Sequence, residues 1–422
     1  MAQTDPRLAE ADRLDQQVRQ LYQQGRYEEG IAIAQQVLEI RESILGDHPD
    51  TATILLGLGL GYSNMGRYSE AEPLYQRSLS IREQQLGADH PDTATSLNNL
   101  AGLYEDMGRY SEAEPLYLRS LSINEQQLGA DHPVTATSLN NLAGLYDNMG
   151  RYSEAESLYQ RSLSIREQQL GADHPDTATS LNNLAGLYED MGRYSEAEPL
   201  YQRSLSINEQ QLGADHPVTA TSLNNLAALY ESMGRYSDAE PLYQRSLSIR
   251  ERQLGVDHPN TALSLNNLAL LYSNMGRYSE AETLYQRSLS IRERQLGVDH
   301  PDTAATLNNL AALYYSMGRY SEAEPLYRRS LSIREQQLGA DHPDTATALN
   351  NLAALYESMG RYSDAEPLYL RTLSICEQQL GANHPKTAAT LNNLGGLYRA
   401  MGRYSEAEAL YKRSLSNQMK NQ

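Results

Sequence analysis

The chain has 422 residues, a mean hydropathy of −0.61 and a formal net charge of −19. That acidity excludes broad binding to nucleic acid or to an anionic membrane, which both need basic patches. The single cysteine, Cys376, excludes an intrachain disulfide and a zinc-binding cysteine cluster. With no apolar run near the ~20 residues that span a bilayer and no apolar signal-peptide core, a cytoplasmic protein is expected.

In chain order, residues 1–47 read as a divergent N-terminal capping helix pair. It has Gly25-Arg26-Tyr27 at its turn but no paired asparagines and no leading His-Pro. From His48 onward the chain repeats itself. All nine histidines (His48, His90, His132, His174, His216, His258, His300, His342 and His384) precede a proline and fall 42 residues apart. Met-Gly-Arg-Tyr recurs at the same period from Met65 to Met401. Such a period marks stacked repeats, not separate globules. Residues 48–422 therefore read as nine tandem repeats, the last truncated, forming one continuous solenoid with the cap.

One repeat runs from His90 to Asp131. Pro91 suits the first helical turn, where its missing N–H costs little, and Asp92 suits the positive helix end. Leu97, Leu100, Ala101 and Tyr104 occupy one helical face. Gly108 supplies a stop, with Arg109-Tyr110 as the turn. Ser111-Glu112-Ala113-Glu114 reads as a capping box, with Pro115 in the first turn of a second helix that ends at Gly129. Each repeat is thus an antiparallel helix pair that cannot bury its apolar face alone. The tyrosines (30, against no Phe or Trp) read as packing residues with a hydroxyl at the wet edge. Residues 90–173 and 174–257 match as two blocks, both carrying Ile-Asn-Glu (Asn124, Asn208) before His-Pro-Val (Val134, Val218). The last helix, SEAEALYKRSLSNQMKNQ, turns polar, as a solenoid end should.

Leu97, Leu100, Ala101, Tyr104, Gly108, Tyr110, Ala113 and Tyr117 fall on the signature sites of the tetratricopeptide repeat, which the chain resembles. The 42-residue form, with LNNLAxLY, GRYSEAEPLYxRSLSI and LGxDHPDTA, is similar to the repeats of the kinesin light chain family and of bacterial, notably cyanobacterial, repeat proteins. The resemblance implies an all-α, right-handed superhelical solenoid of about ten antiparallel helix pairs. It also implies a concave groove lined by the first helix of each pair. Kinesin light chains hold cargo peptides in that groove and join the motor through an N-terminal heptad coiled coil. Residues 1–47 read as a helix pair instead, so a cargo adaptor role rests on resemblance alone.

The candidate groove residues face away from the apolar stripe. They are the paired asparagines Asn98-Asn99, Asn140-Asn141, Asn182-Asn183, Asn224-Asn225, Asn266-Asn267, Asn308-Asn309, Asn350-Asn351 and Asn392-Asn393. Asparagine is poor in a helix interior, so eight copies at one place call for a reason. Their amides can satisfy the backbone of an extended peptide without reading its sequence, or they can set the spacing of neighbouring helices. One of each per pair is the expectation. Selectivity then falls to variable positions: Gly102, Gly144, Gly186, Ala228, Leu270, Ala312, Ala354 and Gly396, and the two residues after each signature tyrosine. The latter make the early groove acidic (Glu105, Asp106, Glu189, Asp190) and the later one nearly neutral, with Tyr315 and Arg399. A protein or peptide of basic or mixed charge is the expected partner.

The histidines stand one per repeat with no second ligand nearby, so capping is expected and a metal is not. Arg161 and Arg166 are expected to pair with glutamates across repeats. No nucleotide loop, nucleophile elbow or metalloprotease motif occurs. Neither a cofactor nor a catalytic centre is therefore expected. The sequence points to a non-catalytic, monomeric interaction scaffold. The alternatives are a structural spacer or assembly element, or the sensor arm of a signalling system.

Overall fold

The computed structural model describes residues 5–419, and every regular element among them is a helix. Twenty helices form ten antiparallel pairs, from Pro6–Gln23 with Tyr27–Leu45 to Pro385–Ala400 with Tyr404–Met419. Contacts group the chain into two compact units: 1–145 with 152–264, and 146–151 with 265–422. None of the described helices is long and apolar enough to cross a membrane.

The pair Pro91–Asp106 and Tyr110–Gln127 shows why each repeat folds. His90 is the N-cap of the first helix, and its Nδ1 accepts the backbone N–H of Asp92 at 3.1 Å. All nine histidines make this cap (for example 3.2 Å at His48 and 2.9 Å at His342). The imidazole Nδ1 is the acceptor in each of them. Gly108 closes the helix at φ 68°, where the N–H of Arg109 returns to the carbonyl of Tyr104 at 2.7 Å. That closure feeds the chain directly into the second helix, which starts at Tyr110 with Arg109 as N-cap. The expected capping box at Ser111 is thus not formed. Glu112 instead takes a two-pronged bond from Arg109 (2.7 and 2.6 Å). The earlier start also places Pro115 inside the helix, beyond its first turn.

Ala94, Leu97 and Ile123 form the buried centre of the pair, with Leu116 and, from the preceding pair, Leu79 packed against it. Ser120, where the repeat family often has alanine, is fully buried and donates to the carbonyl of Ala94 at 2.9 Å. Tyr104 is also buried. Its hydroxyl donates to Glu72 of the preceding pair at 3.0 Å, and Arg109 lies 4.1 Å over its ring.

Arg161 pairs with Glu125 at 2.7 Å, as expected. Arg166 does not. It is buried and donates to the Asp176 carbonyl (2.8 Å), Ser180 Oγ (3.0 Å) and Thr137 Oγ1 (3.2 Å). One guanidinium so joins its own pair to the first helix of the next. Arg82, Arg250, Arg292 and Arg334 are buried in the same way. Burial lowers the pKa of each, opposed by a nearby aspartate at Arg82, Arg166, Arg292 and Arg334. Arg250 has Asn260 in the aspartate position and falls to about 10.

Two caps carry a further contact. His258 Nε2 lies 3.4 Å from the carbonyl of Gln23, and a Cβ on Gly25 would come within 2.8 Å of Pro259. In the second unit Gly150 meets the ring of His384 equally closely. Burial lowers both imidazole pKa values. The Arg250 charge adds to this at His258, and the Lys386 charge takes His384 down to about 4. The neutral rings therefore add stability that is complete above the ordinary histidine pKa of about 6.5 and is lost as pH falls toward 4. Thermal melts of the wild type and of a His384→Asn variant, which keeps a capping side chain, should diverge accordingly. The wild type should lose more melting temperature than the variant between pH 6.5 and 4.5, by about the 1 kcal/mol of one helix cap.

Candidate functional site

The first helix of each pair turns its leucines inward and leaves a row of polar side chains on its other side. Leu97, Leu100, Ala101 and Tyr104 are buried, whereas Thr95 and Asp106 are exposed and Asn98, Asn99 and Glu105 are half-buried. Most of the other paired asparagines are also half-buried. Asn224, Asn266 and Asn308 are buried, and Asn392 and Asn393 are exposed.

The asparagines bond from repeat to repeat. In the first unit Asn141, Asn183 and Asn225 donate through Nδ2 to Oδ1 of Asn98, Asn140 and Asn182, each at 2.9 Å. In the second unit Asn309, Asn351 and Asn393 donate to Asn266, Asn308 and Asn350 at 3.2, 3.0 and 2.9 Å. The second asparagine of one repeat thus serves the first asparagine of the repeat before it. Within a pair, the amide of Asn182 leans on Asn183 at 3.5 Å, and that of Asn350 on Asn351 at 3.4 Å. Each amide has two N–H donors and two acceptor lone pairs, so the ladder uses only part of its capacity.

The residues after the signature tyrosines are joined in the same stagger. Ser232 Oγ donates to Glu189 at 2.8 Å, and the Tyr315 hydroxyl lies 2.7 Å from Ser358 Oγ. The acids are also held from below. Tyr117, Tyr201, Tyr243 and Tyr369, all on second helices, donate to Glu105, Glu189, Glu231 and Glu357 at 2.8, 3.1, 2.9 and 3.0 Å. Burial and the adjacent carboxylate push Tyr117, Tyr243 and Tyr369 above the usual phenol range. The tyrosines are expected as packing residues with a hydroxyl at the wet edge, and the structure adds that these hydroxyls bond the glutamates. The signal for them is compositional: with 30 Tyr and no Phe, every aromatic in the chain keeps an oxygen.

In the first unit Asn98, Asn99, Asn141, Glu105, Asp106 and Tyr117 line one cleft of about 370 Å³. Its floor is Gly102, where a Cβ would stand 3.4 Å from the Tyr117 hydroxyl. Six residues singled out from sequence (Asn98, Asn99, Asn141, Gly102, Glu105 and Asp106) therefore meet in one place. Asp106 is exposed as a residue but lines the cleft, with the cleft walls around its carboxyl. That enclosure, with the Glu105 charge, lifts its carboxyl to about 6. Glu189 is raised too, first by burial and then by Asp190, against the bonds from Ser232 and Tyr201. Asp190 is exposed beside it, and Tyr315 is half-buried in the second unit.

The tetratricopeptide repeat family matches residues 11–84, 57–126, 92–168, 148–210, 176–252, 218–294, 260–336, 302–377 and 344–420 in overlapping stretches. The chain is a tetratricopeptide repeat protein. Among solved structures, a putative kinesin light chain from Podosopora anserina with nearly identical repeats is 28% identical to it. That match covers 49% of this chain and 97% of the other, with a TM-score of 0.41. BtubC (BKLC) from P. vanneervenii is 25% identical over 55% of this chain and 91% of its own, with a TM-score of 0.43. A Rap protein complexed with Competence and Sporulation Factor shares the fold at a TM-score of 0.58 and 15% identity, covering 88% of this repeat protein and 99% of itself. Comparison with curated proteins finds no match.

The raised Asp106 pKa has a definite sign. Ionising this carboxyl costs more in the folded repeats than in the unfolded chain, so it detracts from stability as pH rises through about 6. An Asp106→Asn variant should gain melting temperature relative to the wild type at pH 7.5 and lose that advantage at pH 4. Equal differences at both pH values would show that the carboxyl titrates normally.

Proposed function

We propose that this tetratricopeptide repeat protein is a non-catalytic scaffold that holds an extended peptide, or an extended segment of a partner protein, along its asparagine rows. The observation that carries the reading is the 370 Å³ cleft in which Asn98, Asn99, Asn141, Glu105 and Asp106 converge. A peptide in extended form presents unpaired N–H and C=O groups at regular intervals, and a row of amides has donors and acceptors to meet them. The carboxylates Glu105, Asp106, Glu189 and Asp190 favour lysine or arginine on the peptide there. The second unit, with Tyr315, Ser358 and Arg399 in place of acids, favours neutral or mixed sequence. Catalysis has little to support it. Each pair repeats the same side chains, so an acid, a base and a nucleophile have no unique place to gather.

Because the asparagines also tie the helices together, replacing them would blur binding with stability. Bulk on the cleft floor separates the two. Leu270 already stands at this position in one repeat and is 41% exposed, so the fold tolerates leucine there. A Gly102→Leu, Gly186→Leu double variant, which fills that cleft and the equivalent position two repeats on, should melt within a few degrees of the wild type. Peptides selected from a random display library on the wild-type chain should be rich in lysine and arginine. They should bind the double variant at least about ten-fold more weakly, a loss of roughly 1.4 kcal/mol. Equal affinity for both proteins would refute the reading.

A further inference from the structure

The buried arginine that links successive pairs is missing from three repeats. Asn124 and Asn208 take its place twice, and Cys376 takes it once. The residue ten positions later changes with it. Asp92, Asp176, Asn260, Asp302 and Asp344 follow the arginines, but Val134, Val218 and Lys386 follow the exceptions. The asparagines still reach across, with Asn124 Nδ2 donating to Ser138 Oγ at 2.8 Å and Asn208 to Ser222 at 2.9 Å. The Cys376 thiol is far shorter than an arginine, and a cavity of about 210 Å³ lies beside it. A dry apolar cavity of about 150 Å³ is large enough to take benzene.

The chemistry of the walls selects the occupant. Pro343, Ala346 and Ala389 contribute carbon surface. The hydroxyls that line the space are satisfied within their own helices. Thr347 donates to the Pro343 carbonyl (3.2 Å), Thr372 to Leu368 (2.8 Å) and Thr390 to Lys386 (2.9 Å). Thr390 Oγ1 and the Lys386 carbonyl correspond to Thr306 and Asp302, which both accept from the Arg292 guanidinium. The Thr306–Asp302 bond is present there as well, at 3.3 Å; here the Thr390–Lys386 bond is 2.9 Å, and in place of the guanidinium the Cys376 sulfur lies 3.9 Å from Thr390 Oγ1. No acid stands ten residues after Cys376, and the Lys386 ammonium opposes a cation. Burying a charge without a partner is costly, so a charged guest is disfavoured and a carbon one is not. The cavity also touches Asn350 and Asn393, which form one rung of the asparagine ladder.

We propose that this cavity is a subsite for one uncharged aliphatic side chain, of leucine or methionine size, from a peptide lying across the asparagine rows of the second unit. The subsite rests on the groove reading above, but its test needs no peptide, so the two can fail separately. Cys376 is the only thiol in the chain. The probes are isobutyl methanethiosulfonate and its cationic 2-(trimethylammonio)ethyl counterpart. In each case the Cys376 thiolate attacks the sulfenyl sulfur. A mixed disulfide forms, methanesulfinate leaves, and the thiol proton passes to solvent. Burial raises the thiol pKa, with Thr390 and Lys386 opposing, and slows both reagents alike. Only their ratio is therefore read, relative to the ratio for the urea-unfolded chain. Salt at about 1 M, where the Debye length is about 3 Å, removes the general attraction of an acidic protein for the cation.

The isobutyl reagent should label the folded chain at least about ten-fold faster than the cationic one, as expected when a charge must be desolvated. Its adduct should keep or raise the melting temperature. Ala389→Leu, at an exposed wall residue, should suppress isobutyl labelling without altering the fold. Equal or faster labelling by the cation, no labelling of the folded chain by either reagent, or an isobutyl adduct that destabilises would each overturn the proposal.

Discussion

Between most consecutive helix pairs a buried side chain crosses from one pair to the next and favours a single register. At Arg166 a single guanidinium reaches a threonine on one first helix and a carbonyl and a serine on the next. A buried cation is costly, and the depressed pKa values of Arg166, Arg250 and Arg292 record that cost. What the cation supplies is specificity of place. Leucines and alanines would pack in several registers, but a planar group with fixed donors is satisfied in only one. Ser120 and its equivalents act alike inside a pair, fixing the second helix against the first through a buried hydroxyl.

Once the register is set, the polar face follows from it. The asparagine rungs, the Ser232–Glu189 bond and the Tyr315–Ser358 bond all join one repeat to the next in the same stagger. Side chains that look independent in one helix are therefore coupled along the stack. A ligand held as proposed on this face would meet amides already aligned by one another, which would reduce the ordering that binding demands. The tyrosine hydroxyls beneath hold the glutamates in a fixed direction. The face is better described as a preformed surface than as a set of free polar ends.

Most of the fold was legible because the period is strict. Histidine caps, glycine stops and apolar stripes recur at one spacing, and local chemistry is enough to read them. The misreadings came where local chemistry competes with connection geometry. Ser111 has the residues of a capping box, but the closure at Gly108 delivers the chain into the helix two residues too early for it. Arg166 looks like Arg161, five residues away. The helix turns by about 100° per residue, and that separates a solvent-facing ion pair from a buried staple.

The sequence by itself determined the helix pairs, their number, the apolar face and the polar residues opposite it, because these depend on spacing along one helix. The tertiary structure decided which amide serves which neighbour, that Glu105 is held by Tyr117, and that the substitution at Cys376 leaves a cavity. Those outcomes depend on distances between residues 12 to 43 positions apart, set by how helices pack. A repeat pattern shows that such residues face one another, and only the packed helices fix whether they touch.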